Sequence, residues 1–247
     1  MIRFVMSGAR GRMGQMILNT ATLPDFKDRI TASGQIDVGD DPVSQIQGAS
    51  VMIDFSSPAN SLAMAKLCMA HNVGFIVGTT GLTSGQKTEI ESASSKIPVL
   101  ISPNMSLGVN LLFHLTGIAV SAVPQADVEI VELHHNQKVD APSGTAARMK
   151  DIVKEKRNLA EKDVVHGREG IVGKRKQEEI GMHAVRGGDT PGDHTVYLFL
   201  DGERLEITHR ALSRIVFARG ALQAALFLSG KPAGIYTMND VLGIANA

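Results

Sequence analysis

The residues best suited to chemistry in this chain of 247 residues lie together between positions 132 and 146. The segment contains adjacent histidines, His134 and His135, and a lysine, Lys138, followed by a Ser-Gly-Thr turn. An imidazole titrates near neutral pH and can exchange a proton, and an ammonium group offsets negative charge. Each residue taken alone also fits a polar surface loop. At this density, however, the segment predicts a proton-donating site for an anionic substrate.

A strand and a helix are predicted on either side of this segment. Residues 126–133 contain Val128, Ile130 and Val131 and indicate a short strand, whereas the apolar spacing from residue 146 onward is helical. Either Asp140 or Ser143 could cap the helix. Amides at the helix N-terminus favour an anion, and here they would belong to Ser143, Gly144 and Thr145.

The same segment resembles the signature of the dihydrodipicolinate reductase family, Glu-x-His-His-x-x-Lys-x-Asp-Ala-Pro-Ser-Gly-Thr-Ala, and every fixed position is present. The resemblance implies NAD(P)H-dependent reduction of 4-hydroxy-tetrahydrodipicolinate (dihydrodipicolinate) to tetrahydrodipicolinate, a step of lysine and diaminopimelate biosynthesis. In this interpretation His134 is the general acid, and Lys138 offsets charge or donates the proton itself. The carboxylate of the dicarboxylate substrate would be held by His135, Ser143, Gly144 and Thr145.

Two other interpretations stay open at this stage. One is a different Rossmann-type dehydrogenase that uses a His/Lys site, and the other is a non-catalytic nucleotide sensor. The second would not need the His-His-x-x-Lys cluster, and the first would not need the Ala-Pro-Ser-Gly-Thr-Ala continuation. A coupled reductase assay separates all three.

A glycine-rich turn near the start predicts a dinucleotide site. Residues 2–6 form an apolar strand signal, the turn follows at once, and a helical run begins after it. Gly8 permits the tight turn, Gly11 permits close approach of a pyrophosphate, and Gly14 permits close helix packing. An acid at the end of the next predicted strand, Asp37, can accept hydrogen bonds from ribose hydroxyls. The predicted cofactor contacts of the turn are Gly8, Ala9, Arg10, Gly11, Arg12, Met13 and Gly14.

Strand and helix signals continue to alternate up to residue 105, which predicts a parallel doubly wound sheet with its ligand site at the carboxyl ends of the strands. Two later turns reach that same edge. The family resemblance implies that they line the nicotinamide side of the cofactor, with Met105 in place of the usual aromatic residue. The residues concerned are Gly78, Thr79 and Thr80 in one turn, and Ser102, Pro103, Asn104 and Met105 in the other.

After residue 105 the strands succeed one another without helices, and Asp201-Gly202 indicates a hairpin. The predicted fold is therefore an α/β Rossmann-type nucleotide-binding domain (residues 1–105 and 215–247) plus an α+β substrate domain with an open mixed sheet (residues 106–214). Residues 157–179 are expected to form a loop, and residues 215–228 an apolar helix. The resemblance implies that the second domain also carries the contacts of a homotetramer.

Composition excludes several classes of protein. The formal net charge is zero, with 25 basic and 25 acidic residues, so neither nucleic acid nor a membrane surface is an expected partner. The single cysteine, Cys68, lies in an apolar run, and the histidines lack metal-ligand spacing, so we expect no disulfide and no metal. No leader or membrane-spanning pattern is visible, and a cytoplasmic protein is expected.

The choice of cofactor depends on the residues around Asp37. A carboxylate suits a free ribose 2′-hydroxyl and repels a 2′-phosphate. The next residue is Val38, where NADPH-using relatives often carry an arginine, although Arg10 and Arg12 could supply positive charge. The sequence therefore predicts that both NADH and NADPH are used, with NADH preferred.

Overall fold

The computed structural model describes residues 1–244 and divides the chain into two compact units. Among the described residues, unit 1 comprises Met1–Leu107 together with residues 215–244, and unit 2 comprises Gly108–Arg214. The first boundary thus lies two residues beyond the position expected from the sequence. Within the described residues, no helix is long and apolar enough to cross a membrane.

Unit 1 is built on a six-stranded sheet whose strands are all parallel, in the order β11-β5-β4-β3-β1-β2. Its strands are β1 Ile2–Ser7, β2 Ile30–Ile36, β3 Val51–Asp54, β4 Gly74–Val77, β5 Pro98–Ile101 and β11 Gly234–Tyr236. Its helices are α1 Arg12–Ala21, α2 Pro42–Gln45, α3 Pro58–His71, α4 Ser84–Ser92, α7 Ile215–Leu228 and α8 Met238–Leu242.

Alternate residues of the central strands enter two different cores. In β1, Phe4 and Met6 pack with α1 and α7 on one face, whereas Val5 packs with α3 and α4 on the other. In a strand, successive side chains point to opposite faces, so a strand buried on both faces must be continuously apolar. This accounts for the unbroken apolar runs of unit 1 and makes its sheet doubly wound, as the sequence predicts.

Unit 2 contains a mixed five-stranded sheet in the order β10-β9-β6-β8-β7. The central strand β6 is antiparallel to β9 and parallel to β8, so the prediction of an open mixed sheet is confirmed. The elements are α5 Leu107–Ala122, β6 Asp127–His134, α6 Gly144–Arg157, β7 Val164–His166, β8 Ile180–Arg186, β9 Gly192–Leu200 and β10 Glu203–Ala211.

Helices cover only one face of this second sheet within the unit. Val128 and Ile130 of β6 point inward with Val196 of β9, and they pack against apolar residues of α5 and α6. The intervening residues point to the opposite face, and Leu133 and Phe199 remain more than a third exposed there. This alternation is typical of a sheet with one buried side.

The structure corrects one expectation about regular elements and adds elements that the sequence analysis did not predict. Residues 157–179 are not one continuous loop, because a 3₁₀ turn at Glu161–Asp163 and strand β7 lie within them. Helices α2, α5 and α8 and strand β11 have no counterpart among the predicted elements. By contrast, α7 has the predicted bounds, and the predicted hairpin pairs Glu203 with Leu200.

A cluster of charges holds residues 167–179 onto the uncovered face. Arg168 and Arg175 both donate to Glu129 of β6, and Arg175 also contacts Asp127 at 2.6 Å. Burial opposes ionisation of Glu129, but hydrogen bonds from Arg168, His183 and Arg175 outweigh it and lower its pKa to about 2. The carboxylate is therefore ionised throughout the neutral range, and the segment stays anchored.

Candidate active site

A cavity of about 490 Å³ opens at the carboxyl ends of the first strands of unit 1. Strand β1 lies between β2 and β3, so successive connections leave β1 in opposite directions along the sheet. Ligands of open parallel sheets bind at such a switch point. The lining includes the predicted residues Gly8, Gly11 and Asp37, together with Val38, Gly39, Asp40, Phe55, Ser56, Ser57 and Asn60.

The N-terminus of α1 is prepared for an anion. Its N-cap residue is Gly11, and no side chain caps the helix. The first turn contains no acidic residue but does contain Arg12. Helix N-termini carry partial positive charge and amides without intrahelical partners, which suits a pyrophosphate. The other described α-helices with an assigned N-cap are all capped by side chains, those of Asp41, Ser57, Thr83, Ser143 and Thr237.

Two glycines of the turn are required by close backbone contacts. Gly8 has a φ of +80°, and a Cβ there would lie 2.3 Å from the Phe55 carbonyl oxygen. A Cβ on Gly14 would lie 2.2 Å from the Gly8 carbonyl oxygen. Ala9 is buried and Met13 packs on the adjacent core, so the side chains of these two predicted cofactor contacts stabilise the fold.

Asp37 follows β2 and faces the same cavity. Its carboxylate accepts the amides of Arg10 at 2.7 Å and Val38 at 2.8 Å, and these backbone hydrogen bonds lower its pKa. One hydrogen bond to each oxygen leaves further lone pairs available to ribose hydroxyls. The residues at this end of unit 1 therefore fit the adenosine and pyrophosphate parts of a dinucleotide.

The two turns expected on the nicotinamide side, residues 78–80 and 102–105, contain both buried and exposed side chains. Met105 is only 1% exposed and belongs to the core of unit 1, so its side chain is not open to a ligand in this structure, and its contact with the cofactor stays a prediction. Thr79 and Ser102 are buried, whereas Thr80 is exposed and Asn104 is half-buried. A Cβ on Gly78 would collide with the Phe55 ring, which explains the glycine there.

A buried carboxylate that the sequence analysis missed links one of these turns to the turns after β1 and β3. Asp54, at the end of β3, is fully buried and accepts the hydroxyls of Ser7 at 2.6 Å and Thr79 at 2.7 Å. It also accepts hydroxyls from Ser56 and Ser61. One side chain thereby links the turns after β1, β3 and β4. The signal in the sequence is an acid that ends an apolar strand and precedes a Ser-Ser pair.

In unit 2, His134 ends β6 with its ring directed toward the covered face and is 8% exposed. Its Nδ1 contacts the carboxylate of Glu132, two residues earlier on the same face. A carboxylate can only accept, so the ring proton belongs on Nδ1 and the lone pair of the neutral ring on Nε2. Burial lowers the pKa of His134, and the opposing hydrogen bond and charge of Glu132 do not cancel this effect.

Glu132 is itself held by three groups. Its two oxygens accept both terminal nitrogens of Arg186 at 2.8 Å, and one of them also accepts the Ser143 amide at 3.1 Å. Burial raises the pKa of Glu132, but the hydrogen bonds from Arg186, His134 and Ser143 outweigh it, so the pKa is lowered. Arg186 further donates to the carbonyl of Asp140, which fixes the loop after β6.

The structure corrects the expected role of Ser143. Its amide donates to Glu132 and is therefore not available to a substrate anion. Its hydroxyl caps α6 through the Ala146 amide and lies 3.0 Å from Nε2 of His194. The residue is 2% exposed and serves as scaffold. The remaining predicted residues of the turn, Gly144 and Thr145, form the first turn of α6, and open space surrounds the position of a Cβ on Gly144.

Lys138 and His135 complete the predicted cluster. Lys138 Nζ contacts both oxygens of Asp140, at 2.7 and 3.0 Å, and its side chain is 19% exposed. His135 Nε2 lies 3.3 Å from the guanidinium of Arg214, a cationic residue that the sequence analysis did not select. The cluster thus combines an imidazole, an ammonium and a guanidinium near the start of α6. Among residues 1–244, no group of three or more acidic, histidine or cysteine side chains could hold a metal ion.

Comparisons with known proteins agree with this geometry. The family model described as "Dihydrodipicolinate reductase, N-terminus" matches residues 2–105, and the one described as "Dihydrodipicolinate reductase, C-terminus" matches residues 108–242. The chain belongs to the dihydrodipicolinate reductase family. Proteins named 4-hydroxy-tetrahydrodipicolinate reductase are 43% identical in Anaeromyxobacter sp. (strain Fw109-5), with 100% of both chains covered, and 45% identical in Akkermansia muciniphila, with 99% of both covered.

Solved structures share the fold. A dipicolinate-bound dihydrodipicolinate reductase from Paenisporosarcina sp. TG-14 aligns with a TM-score of 0.77 at 23% identity, covering 96% of this chain and 97% of that one. Diaminopimelate dehydrogenase from C. glutamicum aligns at 12% identity with a TM-score of 0.54, covering 99% and 96%. Membership of the reductase family favours the reductase interpretation over the two alternatives left open by the sequence.

Proposed function

We propose that this protein reduces 4-hydroxy-tetrahydrodipicolinate to tetrahydrodipicolinate with a nicotinamide dinucleotide, in lysine and diaminopimelate biosynthesis. The observation that carries the proposal is the identity of 40–45% to reductases of that name over 98–100% of the chain. Two independent features support it. They are the cavity at the glycine turn of unit 1 and the histidine–lysine cluster of unit 2.

Each unit is assigned one of the two ligands. Unit 1 binds the dinucleotide, with its pyrophosphate at the uncapped start of α1 and a ribose hydroxyl on Asp37. The dihydronicotinamide ring, when bound, supplies the hydride. Unit 2 binds the dicarboxylate substrate, and the Paenisporosarcina relative was solved with dipicolinate, a planar dicarboxylate, bound. One carboxylate is received by His135, the amides of Gly144 and Thr145, and the neighbouring Arg214.

Proton transfer is assigned to His134 with Lys138 beside it. Loss of the 4-hydroxyl group as water turns the substrate into a conjugated imine. Hydride addition to that imine leaves negative charge on the nitrogen side, and one proton from an acid there completes the reduction. The Nε2 of His134 can donate only from the imidazolium, because Glu132 holds the Nδ1 proton. A dianionic substrate favours that charged form. Lys138 offsets the developing charge.

The pH profile separates the two candidate donors. The pKa of His134 in the free protein is lowered, so kcat/KM should fall as pH rises through a value below 6.5. The limb in kcat should lie at higher pH, because the bound substrate restores the imidazolium. A flat kcat/KM from pH 5 to 9 would therefore reject His134 and leave Lys138 as the donor.

The activity itself is tested by coupling the protein to dihydrodipicolinate synthase, pyruvate and aspartate semialdehyde. Absorbance at 340 nm should fall only when all components and a reduced nicotinamide nucleotide are present. Loss of absorbance without the synthase, or none with it, contradicts the proposal. For comparison, a different dehydrogenase would oxidise its own substrate, and a nucleotide sensor would bind NADH without turnover.

For the cofactor we propose use of both nucleotides with NADH preferred. Asp37 is ionised and lies in the cavity, and the following residue, Val38, is 90% exposed and uncharged. Both features favour a ribose 2′-hydroxyl over a 2′-phosphate. The guanidinium of Arg10 already pairs with a carboxylate, which removes one of the two arginines that could compensate. Initial rates with each nucleotide measure the ratio directly.

We further propose a homotetramer, in which second copies cover the open face of the unit 2 sheet. Leu133 and Val185 pair in register at one end of the sheet and are 36% and 47% exposed on that face, and Phe199, at the other end, is 37% exposed. Sedimentation should give four times the chain mass of 26.3 kDa. Val185→Glu should yield smaller species, whereas Val43→Glu on α2, of similar exposure, should not. A monomeric wild-type protein contradicts the assembly but not the activity.

A further inference from the structure

The ion pair at the edge of the nucleotide cavity joins two turns of unit 1. The guanidinium of Arg10 donates to both oxygens of Asp40, at 2.9 and 3.1 Å, and to the Val38 carbonyl at 3.0 Å. The Arg10 amide binds Asp37. Residue 10 thus connects the glycine turn after β1 with the acidic turn after β2 through both its backbone and its side chain.

Asp40 also closes the turn that carries Asp37. Its carboxylate accepts the Asp37 amide at 2.9 Å, and its own amide donates to the Asp37 carbonyl at 3.1 Å. Gly39 between them has a φ of +91°, with open space where a Cβ would stand. Both carboxylates line the cavity, so a ligand at this edge meets two negative charges and one arginine that is already paired.

We propose that Asp40 is a specificity-determining residue for the nucleotide. It selects the free 2′-hydroxyl of NADH in two ways, by engaging the guanidinium of Arg10 and by adding a second negative charge beside Asp37. This rests on the proposed use of a nicotinamide dinucleotide. Arginine is the side chain best matched to a phosphate, because its planar donors bind two oxygens at once. With Asp40 neutral, Arg10 can turn from the carboxylate to a 2′-phosphate.

The pair is suited to such a role because it contributes little to folding. The side chain of Arg10 is 64% exposed and that of Asp40 is 30% exposed, and exposed ion pairs are worth little in stability. In Asp40→Asn the amide oxygen can still accept the Asp37 amide, so the turn keeps its hydrogen bond while the charge is lost. The substitution therefore changes electrostatics with little change in shape.

The neighbouring acid provides a matched control. Asp41 caps α2 through the amides of Val43 and Ser44 and makes no contact with Arg10 among the described hydrogen bonds. Asp41→Asn removes the same charge one residue away, and asparagine caps helices as well as aspartate does. A general effect of net charge would act in both variants, whereas release of Arg10 acts only in Asp40→Asn.

The experiment compares adenosine 2′,5′-bisphosphate with adenosine 5′-phosphate, which differ only in the 2′-phosphate. Calorimetry on the full chain should show that Asp40→Asn tightens the bisphosphate roughly 10-fold relative to the monophosphate, the effect of one charge-assisted contact. Asp41→Asn should change the ratio by less than about twofold. The double variant Asp40→Asn/Arg10→Ala should lose the gain. The ratio of kcat/KM for NADPH and NADH should follow the same order.

Three results would overturn the inference: no change in Asp40→Asn, an equal change in Asp41→Asn, or a gain that survives in the double variant. Each leaves the proposed reductase intact, because the wild-type protein still binds the monophosphate. If the wild-type protein binds neither adenosine nucleotide, the proposed nucleotide site itself is contradicted. In that case the proposed function fails together with the role of Asp40, and the two failures are distinguishable.

Discussion

The helices that follow the first strand of each sheet begin in opposite ways. Helix α1 starts after Gly11 without a side-chain cap, whereas α6 starts at Ser143, whose hydroxyl caps the helix and whose amide binds Glu132. Unit 1 thus leaves the amides of a helix start to an external anion. In unit 2, one amide at the start of α6, that of Ser143, instead binds the Glu132 carboxylate that orients His134. The difference indicates a binding function for the first site and a chemical one for the second.

The strongest challenge to this comparison is His134→Gln. We expect kcat to fall by ~10²–10⁴, the usual contribution of one general acid, while the Kd for NADH stays unchanged because His134 belongs to unit 2. Stopped-flow rates and NADH fluorescence measure the two quantities. His166→Gln, at an exposed position at the end of β7, is the control and should keep wild-type turnover. Equal turnover in both variants would make His134 a structural residue.

The corresponding test in unit 1 is the substitution Gly14→Ala. Its Cβ would lie 2.2 Å from the Gly8 carbonyl oxygen, so α1 must move away from the turn. We expect a loss of about 1–3 kcal/mol in the free energy of unfolding, as for overpacked sites, and weaker binding of NADH. Gly85→Ala, in the first turn of α4 with open space around it, should lower neither stability nor NADH affinity. Denaturant melts and NADH titration decide the point, and unchanged NADH affinity would contradict the binding role of the α1 terminus.

A cation placed beside Asp37 should raise the preference of the nucleotide site for NADPH, which carries a 2′-phosphate, over NADH. Val38→Arg adds a guanidinium at an exposed position of the cavity. The ratio of kcat/KM for NADPH and NADH should rise roughly 10-fold, the value of one charge-assisted contact of ~1.4 kcal/mol. Steady-state rates with both nucleotides give the ratio. A wild-type protein that already favours NADPH by an order of magnitude would show that Arg12 or Arg10 reaches the phosphate.

The smallest expected effect is that of Ser143→Ala. Loss of the cap should cost ~1 kcal/mol in the free energy of unfolding, and Thr83→Ala at the cap of α4 should cost a similar amount. Only Ser143→Ala should also lower kcat, because its hydroxyl contacts His194 beside the ring of His134. Paired melting curves and turnover numbers check this. If the two variants reduce kcat alike, the hydroxyl has no part in the site.

The sequence predicts the features that depend on neighbours along the chain. Short unbroken apolar runs locate most strands of unit 1, and the bounds of α7 follow from one longer apolar run. The Asp201-Gly202 pair predicts the hairpin because turn chemistry is local. The cluster from His134 to Thr145 is recognisable for the same reason, since its members lie within a dozen positions.

What could not be predicted depends on pairing between distant segments. Arg186 reaches Glu132 because β6 and β8 are parallel neighbours in a particular register, although 54 positions separate the two residues. The contact of Arg10 with Asp40 requires β1 and β2 to end side by side. Burial of Met105 depends on Gly220 of α7, where a Cβ would lie 1.7 Å from the Met105 carbonyl oxygen. β7, with three residues, is too short to give a periodic signal.

The division of unit 1 between both ends of the chain has a consequence for synthesis on the ribosome. Helix α7 supplies one face of the core that includes Phe4, Met6 and Ile53, and β11 adds the last strand beside β5. Both are translated only after all of unit 2. At a synthesis rate of ~5–20 residues per second, this apolar face stays exposed for roughly 5–20 seconds before α7 and β11 are made. During that interval the nascent chain exposes an apolar surface. The protein is therefore most prone to aggregation, and most in need of a chaperone, before residue 215 emerges from the ribosome.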